Sequence, residues 1–142
     1  MKKRLLQLRG KEIVLAKDSL NENMAVAVDF IASQLAQGIK KDGTKSTFGY
    51  ARKTVRLKKG KPGLSGVTSY LTNFDTGESY KQLYGKIEGD LIEFGTKTDK
   101  EDAISGRMDD QAFGLAPDNK EEFIRQHIKG SFIKKVKDIV KI

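Results

Sequence analysis

Two groups of residues in this 142-residue chain carry side chains equipped for chemistry. The first is Asp75-Thr76-Gly77, which closes the β-prone run Thr68-Ser69-Tyr70-Leu71-Thr72-Asn73-Phe74 and precedes Glu78, Ser79 and Tyr80. β-branched and aromatic residues favour a pleated strand, and Asp with Gly supplies turn chemistry, so the segment predicts a strand ending in a tight turn. An aspartate on such a turn can share one proton with the same carboxylate of a twofold-related copy, the arrangement that activates water against a peptide bond. The second group is Arg52, Lys53, Arg56, Lys58, Lys59 and Lys61, six positive charges in ten residues with no carboxylate among them. Such a run repels itself, cannot be core, and is expected on a solvated surface, where it can meet an acidic protein face or a phosphate backbone.

Little else is so equipped. Cysteine is absent, which removes disulfides, thiolate metal sites and thiol nucleophiles. The single histidine, His127, falls in a charged, periodic stretch that predicts a partly exposed helical position. Zinc sites of the usual N/S type and Ser-His-Asp relays therefore lack partners. Asp99, Glu101 and Asp102, and Asp109 with Asp110, have neither a paired histidine nor calcium-loop spacing, and read as solvated surface. The glycines between Gly60 and Gly66 do not follow the spacing of a nucleotide-phosphate loop. The sequence thus predicts no catalytic residue, no metal, no cofactor and no small-molecule substrate.

Charge is unevenly divided. Residues 1–61 hold 15 Lys/Arg against 5 Asp/Glu, residues 62–142 hold 12 against 14, and the net charge is +8. A basic front and a mildly acidic back favour attraction between copies, and the front half also attracts nucleic acid. No apolar run approaches the roughly 20 residues that span a bilayer. Gln7, Arg9 and Lys11 interrupt Leu5-Leu6 before a signal core can form. The length suits one domain over residues 1–142.

The elements that must position these residues follow from periodicity. Leu20, Met24, Val28, Ile31, Leu35 and Ile39 recur every three or four residues, an apolar stripe on a helix from about Lys11 to Ile39, with Gly38 marking its end. Asp29, Ser33, Gln34 and Gln37 fall elsewhere around it. Residues 1–19, with Leu5, Leu6, Leu8, Ile13 and Val14, extend this helix or form an arm packing on another subunit. Residues 43–66 read as a basic, glycine-rich loop. Residues 67–74, Ser79 to Ile87 and Leu91 to Thr96 read as strands, with Glu88-Gly89-Asp90 joining the last two. Thr98 and Glu101 have the capping-box spacing of a short helix reaching Ile104. Residues 105–116 form a loop whose apolar members, Met108, Phe113 and Leu115, fold back on the core. Pro117 then takes a first helical position, and Phe123, Ile124, Ile128, Phe132, Ile133, Val136, Ile139 and Val140 mark a long amphipathic helix, mildly interrupted at Gly130. The expected fold is α+β: a small antiparallel β-meander of three or more strands packed against a long N-terminal and a long C-terminal amphipathic helix.

Several segments, taken in order, resemble the head-to-tail joining and tail-completion proteins of tailed bacteriophages, particularly those of Bacteroidetes phages. They are Gln34-Leu35-Ala36-Gln37-Gly38-Ile39 before Asp42-Gly43, Gly49-Tyr50-Ala51-Arg52-Lys53-Thr54, and Val67 with Leu71-Thr72-Asn73-Phe74-Asp75-Thr76-Gly77 and Tyr80. Ile92-Glu93-Phe94-Gly95-Thr96 and Phe113-Gly114-Leu115-Ala116-Pro117-Asp118-Asn119 complete the series. The resemblance covers about residues 28–140. It implies a structural virion protein without enzymatic activity, a homo-oligomeric neck-ring subunit assembled in the host bacterial cytoplasm beside portal, neck or tail proteins. On that reading Arg52, Lys53, Arg56, Lys58, Lys59 and Lys61 touch a partner or the DNA in the lumen, and Asp75, Thr76 and Gly77 are a structural turn. The residues alone leave two other functions open, a free-standing basic nucleic-acid-binding module and a dimeric aspartic protease using Asp75. Against the protease, Glu78 follows Gly77 where retroviral-type proteases carry alanine, and Asn73 lies two before Asp75 where they are apolar.

Overall fold

The computed structural model describes residues 8–46 and 50–141. Leu5 and Leu6 of the expected arm, and Gly49 of the basic segment, lie outside the described residues. Helices α1 (Glu12–Glu22) and α2 (Met24–Ala36) are separated by Asn23 alone. The expected single rod breaks there because Asn23 leaves helical geometry (φ −108°, ψ 12°) while its side-chain amide donates to the Ser19 carbonyl at 2.9 Å. α2 ends at Ala36, three residues before the expected Ile39, although Gly38 does form the expected stop. The Ile39 N–H donates to the Gln34 carbonyl (2.8 Å) and the Gly38 N–H to the Leu35 carbonyl (3.0 Å), with Gly38 at φ +68°. A Cβ at Gly38 would lie 2.7 Å from Tyr70 Cδ2, so conformation and space both require glycine. Ile39 lies past the helix and bridges to Lys45.

The basic segment is not a continuous loop. Arg52–Lys58 forms helix α3, and Gly63–Gly66 forms a 3₁₀ turn. Coiling places Arg52, Lys53, Arg56 and Lys59 in water while Thr54, Val55 and Lys58 turn inward, so like charges are spread over one wet face.

Residues 67–74 are not a strand. Side chains claim the backbone groups that a ladder would need: Leu71 N–H donates to Ser46 Oγ (3.1 Å), and Thr72 and Asn73 N–H both donate to the Tyr50 hydroxyl oxygen (2.9 and 3.0 Å). The Thr72 carbonyl accepts from the Tyr80 hydroxyl (2.5 Å) and the Phe74 carbonyl from Lys58 Nζ (2.9 Å). Asn73 also adopts φ +53°, outside the β region. Glu78–Lys81 then forms a helical turn, α4, so the next strand starts four residues later than Ser79. Strands β1 (Leu83–Glu88) and β2 (Leu91–Thr96) pair antiparallel, with Leu83 opposite Thr96 and Glu88 opposite Leu91. The sheet is this two-stranded hairpin rather than a meander of three or more.

Helix α5 (Glu101–Arg107) is preceded by Lys100 rather than Thr98 at the cap position and runs past the expected end at Ile104 to Arg107. The expected capping box is lost because Glu101 Oε2 accepts from the Thr96 N–H (2.8 Å) and Thr98 Oγ1 bonds Ser79 Oγ (3.1 Å). α6 (Pro117–Phe123), a π-helical segment (Ile124–Ile128) and α7 (Lys129–Val140) follow without a break, Pro117 opening the run and the irregularity falling before Gly130. α1 packs on α7, and α2 on β1 and α6. The core joins Ile31 and Leu35 of α2 to Leu71, Ile104, Met108 and Ala112, with Tyr50, Tyr80, Leu83, Phe94, Phe113 and Leu115 around it. Gln34, placed by periodicity outside the apolar stripe, is buried: it donates to the Gly114 carbonyl and accepts from Ala116 N–H and Asn119 Nδ2. The architecture is thus α+β. Among the described residues no helix is long and apolar enough to cross a membrane.

Candidate functional site

Helix α3 divides the six cations of the basic run. Arg52, Lys53, Arg56 and Lys59 face solvent, whereas Thr54, Leu57, Lys58 and Lys61, spaced at three and four residues, line a cleft of about 550 Å³. Lys100, Ile104 and Arg107 from α5 and its start share that lining, together with Leu71, Asn73, Phe74 and Asp75. Distant parts of the chain therefore meet at one basic hollow.

Lys58 corrects the expectation that the whole run stays in water. It is only 7% exposed, its Nζ donates to the Ser65 and Phe74 carbonyls (3.2 and 2.9 Å), and it lies 4.5 Å from the Tyr50 ring centroid. Two carbonyl dipoles and an aromatic face replace the water that the ammonium loses.

Asp75 lies between two of the cleft's cations. Its Oδ1 is 3.5 Å from Lys61 Nζ and its Oδ2 is 3.5 Å from Lys100 Nζ. Burial pushes the carboxyl up, but Lys100 and then Lys61 outweigh it and hold Asp75 below the usual carboxylate range. Such a group is ionised at neutral pH and stays paired with the two cations. The turn beyond it is closed by Gly77 at φ +85°, with Thr76 Oγ1 accepting from the Glu78 N–H at 3.4 Å. Phe74 and Tyr80 then meet edge to face at 5.3 Å. Burial pushes the Tyr80 hydroxyl well above its ordinary range, in keeping with its short bond to the Thr72 carbonyl.

Asn73 completes the lining. Its Oδ1 accepts from an Arg107 guanidinium nitrogen at 3.5 Å, while its buried Nδ2 has no acceptor among the described residues. His127 is elsewhere, half-buried on the C-terminal helix against the rings of Phe30 (6.4 Å) and Phe123 (6.0 Å). Among the described residues no group of three or more His, Cys, Asp or Glu side chains converges as metal ligands would.

Sequence reasoning found Lys58, Lys61 and Asp75 but missed Tyr50, Asn73, Lys100 and Arg107. Tyr50 and Asn73 lie two residues before Arg52 and Asp75 but carry no charge to mark them, and only the chain's path through the core brings Lys100 and Arg107 to the same hollow. The chemistry available is that of anion capture, with cations, an amide donor and apolar lining in one hollow. Compared with protein-family models, curated proteins and solved structures, the chain matches none.

Proposed function

We propose that this chain is a structural subunit of the head-to-tail joint of a tailed bacteriophage, closing into a homo-oligomeric neck ring and acting by protein contact without enzymatic activity. The ordered series of resembling segments supports this reading. The observation that carries it is an apolar edge where α1 meets the hairpin tip. Lys17 Nζ pairs with Asp90 Oδ1 at 3.3 Å, and beside this pair Ile13 is 67%, Val14 56%, Leu91 75% and Ile92 37% exposed. Single exposed apolar residues are ordinary, but the Lys17–Asp90 contact brings Ile13 and Val14 of α1 toward Leu91 at the hairpin tip, with Ile92 on the other strand face, and offers another chain an apolar patch to cover.

A ring also needs a second, different surface for each neighbour to meet, because head-to-tail contacts are heterologous. The C-terminal helical run offers Ile124 and Ile133 to solvent, and the acidic excess after residue 61 complements the basic front. Light scattering on the purified chain should give a multiple of 15.8 kDa, with closed rings in negative-stain images. Ile13→Asp combined with Leu91→Asp should reduce it to single chains of unchanged circular dichroism. A wild-type chain that stays single at every concentration tried overturns the proposal.

A second reading, a basic module that binds nucleic acid, is favoured by the outward face of α3. Arg52, Lys53, Arg56 and Lys59 are all exposed there, and no acidic residue shares the helix. The salt dependence of DNA retention decides for or against it.

A further inference from the structure

The cations of the cleft between α3 and α5 are poorly satisfied within the protein. Among the described residues Lys61 and Lys100 reach only Asp75, at 3.5 Å each, and Arg107 reaches only Asn73 Oδ1, also at 3.5 Å. An ammonium has three donors and a guanidinium five, so these long contacts leave most of them to solvent or to an incoming group. Asn73, 8% exposed, adds a buried Nδ2 donor with no acceptor among the described residues. The same hollow is lined by Leu57, Leu71, Phe74 and Ile104, and Leu57 is largely exposed.

This mixture selects among anions. A duplex backbone meets exposed cations such as the outward face of α3 and has nothing to place on an apolar lining, whereas a polypeptide carries carboxylates and apolar side chains together. We propose that the cleft is a docking site for an acidic segment of an adjoining protein, with carboxylates set among Lys61, Lys100 and Arg107 and a neighbouring apolar side chain against Leu57, Phe74 and Ile104. Asp75 occupies the cations until that segment arrives. The incoming carboxylate takes Lys61 and Lys100 over from Asp75, so removing the Asp75 charge strengthens docking.

The proposal deepens the protein-contact reading by naming the partner's chemistry, and its test separates the two. The probe is a fluorescein-labelled Glu-Glu-Leu-Asp-Glu-Phe peptide followed by polarisation, with the Gln/Asn version as its neutral control. Wild type should bind the acidic peptide saturably and the neutral one not at all. Neutralising Lys61, Lys100 and Arg107 together to Gln should weaken binding roughly tenfold or more, while neutralising Arg52, Lys53, Arg56 and Lys59 to Gln should change it less than about twofold. Asp75→Asn should tighten it by roughly threefold, and the Asn73 side-chain amide signals should shift on titration. The Ile13→Asp, Leu91→Asp variant should bind the peptide as wild type does, so a failed ring and a failed cleft give different results. No saturable binding, an equal loss in the outward-face variant, or displacement of the peptide by duplex DNA overturns the assignment.

Discussion

Lys58 is held in the protein by two carbonyl oxygens and a ring, with no carboxylate among its hydrogen-bond partners. Lys59, next in sequence, stands in water. The two are indistinguishable by composition, and only the phase of α3 separates them, because docking of Thr54 and Val55 commits position 58 to the inside. Replacing Lys58 by Met keeps the aliphatic stem and removes the donors, leaving the Ser65 and Phe74 carbonyls without them. A loss of about 2–3 kcal/mol is expected, since a buried group left unpaired costs its desolvation. Lys59→Met should stay within about 0.5 kcal/mol of wild type, as exposed substitutions do. Urea unfolding of both variants, with an unchanged slope, checks the contrast. Equal effects at the two positions would mean that the inward face of α3 does not dock.

The apolar stripes of α2 and of the C-terminal run were legible in the sequence, whereas the break at Asn23, the helices at Arg52–Lys58 and Glu78–Lys81 and the absence of a strand over 67–74 were not. The apolar stripes that include Ile31, Leu35 and Phe123 are set by periods internal to each helix, and the hairpin by its own turn, so local spacing suffices. Residues 71–74 have the right side chains for a strand, but the Tyr50 hydroxyl, Ser46 and Lys58 satisfy their backbone from elsewhere, and no spacing within the segment announces that. Long-range pairing also joins α1 to α7, where Glu22 accepts from Lys135 Nζ at 2.5 Å and from Ser131 Oγ at 3.0 Å. The Lys135 hydrogen bond, then that of Ser131, holds the Glu22 carboxyl below its ordinary range, and the same contact raises Lys135. The Glu22 contribution is therefore complete above the unfolded carboxylate value and is lost as pH falls through the lowered folded value. The Lys135 contribution is complete below the unfolded ammonium value and is lost as pH rises through the raised one. Thermal unfolding of wild type and Glu22→Gln should differ by a constant, small margin through neutral pH, and the margin should close below about pH 4. A margin independent of pH would show that the carboxylate's charge is not what couples the helices.

Charge and apolar surface are distributed over the molecule in ways that pull its two proposed roles apart. The densest cluster of exposed cations is on the outward face of α3, while the edge offered to another copy is built from Ile13, Val14 and Leu91. Counterion release makes phosphate binding fall with a slope of about −0.9 in log K against log salt for each phosphate neutralised, so four cations give about −3.6. Apolar association is not weakened by screening, and excluded salts such as sulfate strengthen it. Raising salt on one preparation should therefore release duplex DNA steeply while the oligomer keeps its mass. Neutralising Arg52, Lys53, Arg56 and Lys59 should reduce the DNA slope by about 3.6 and leave that mass unchanged. If the oligomer instead dissolves in step with the DNA complex, the force joining copies is the attraction between the basic front and the acidic back. The exposed apolar edge would then need a different partner.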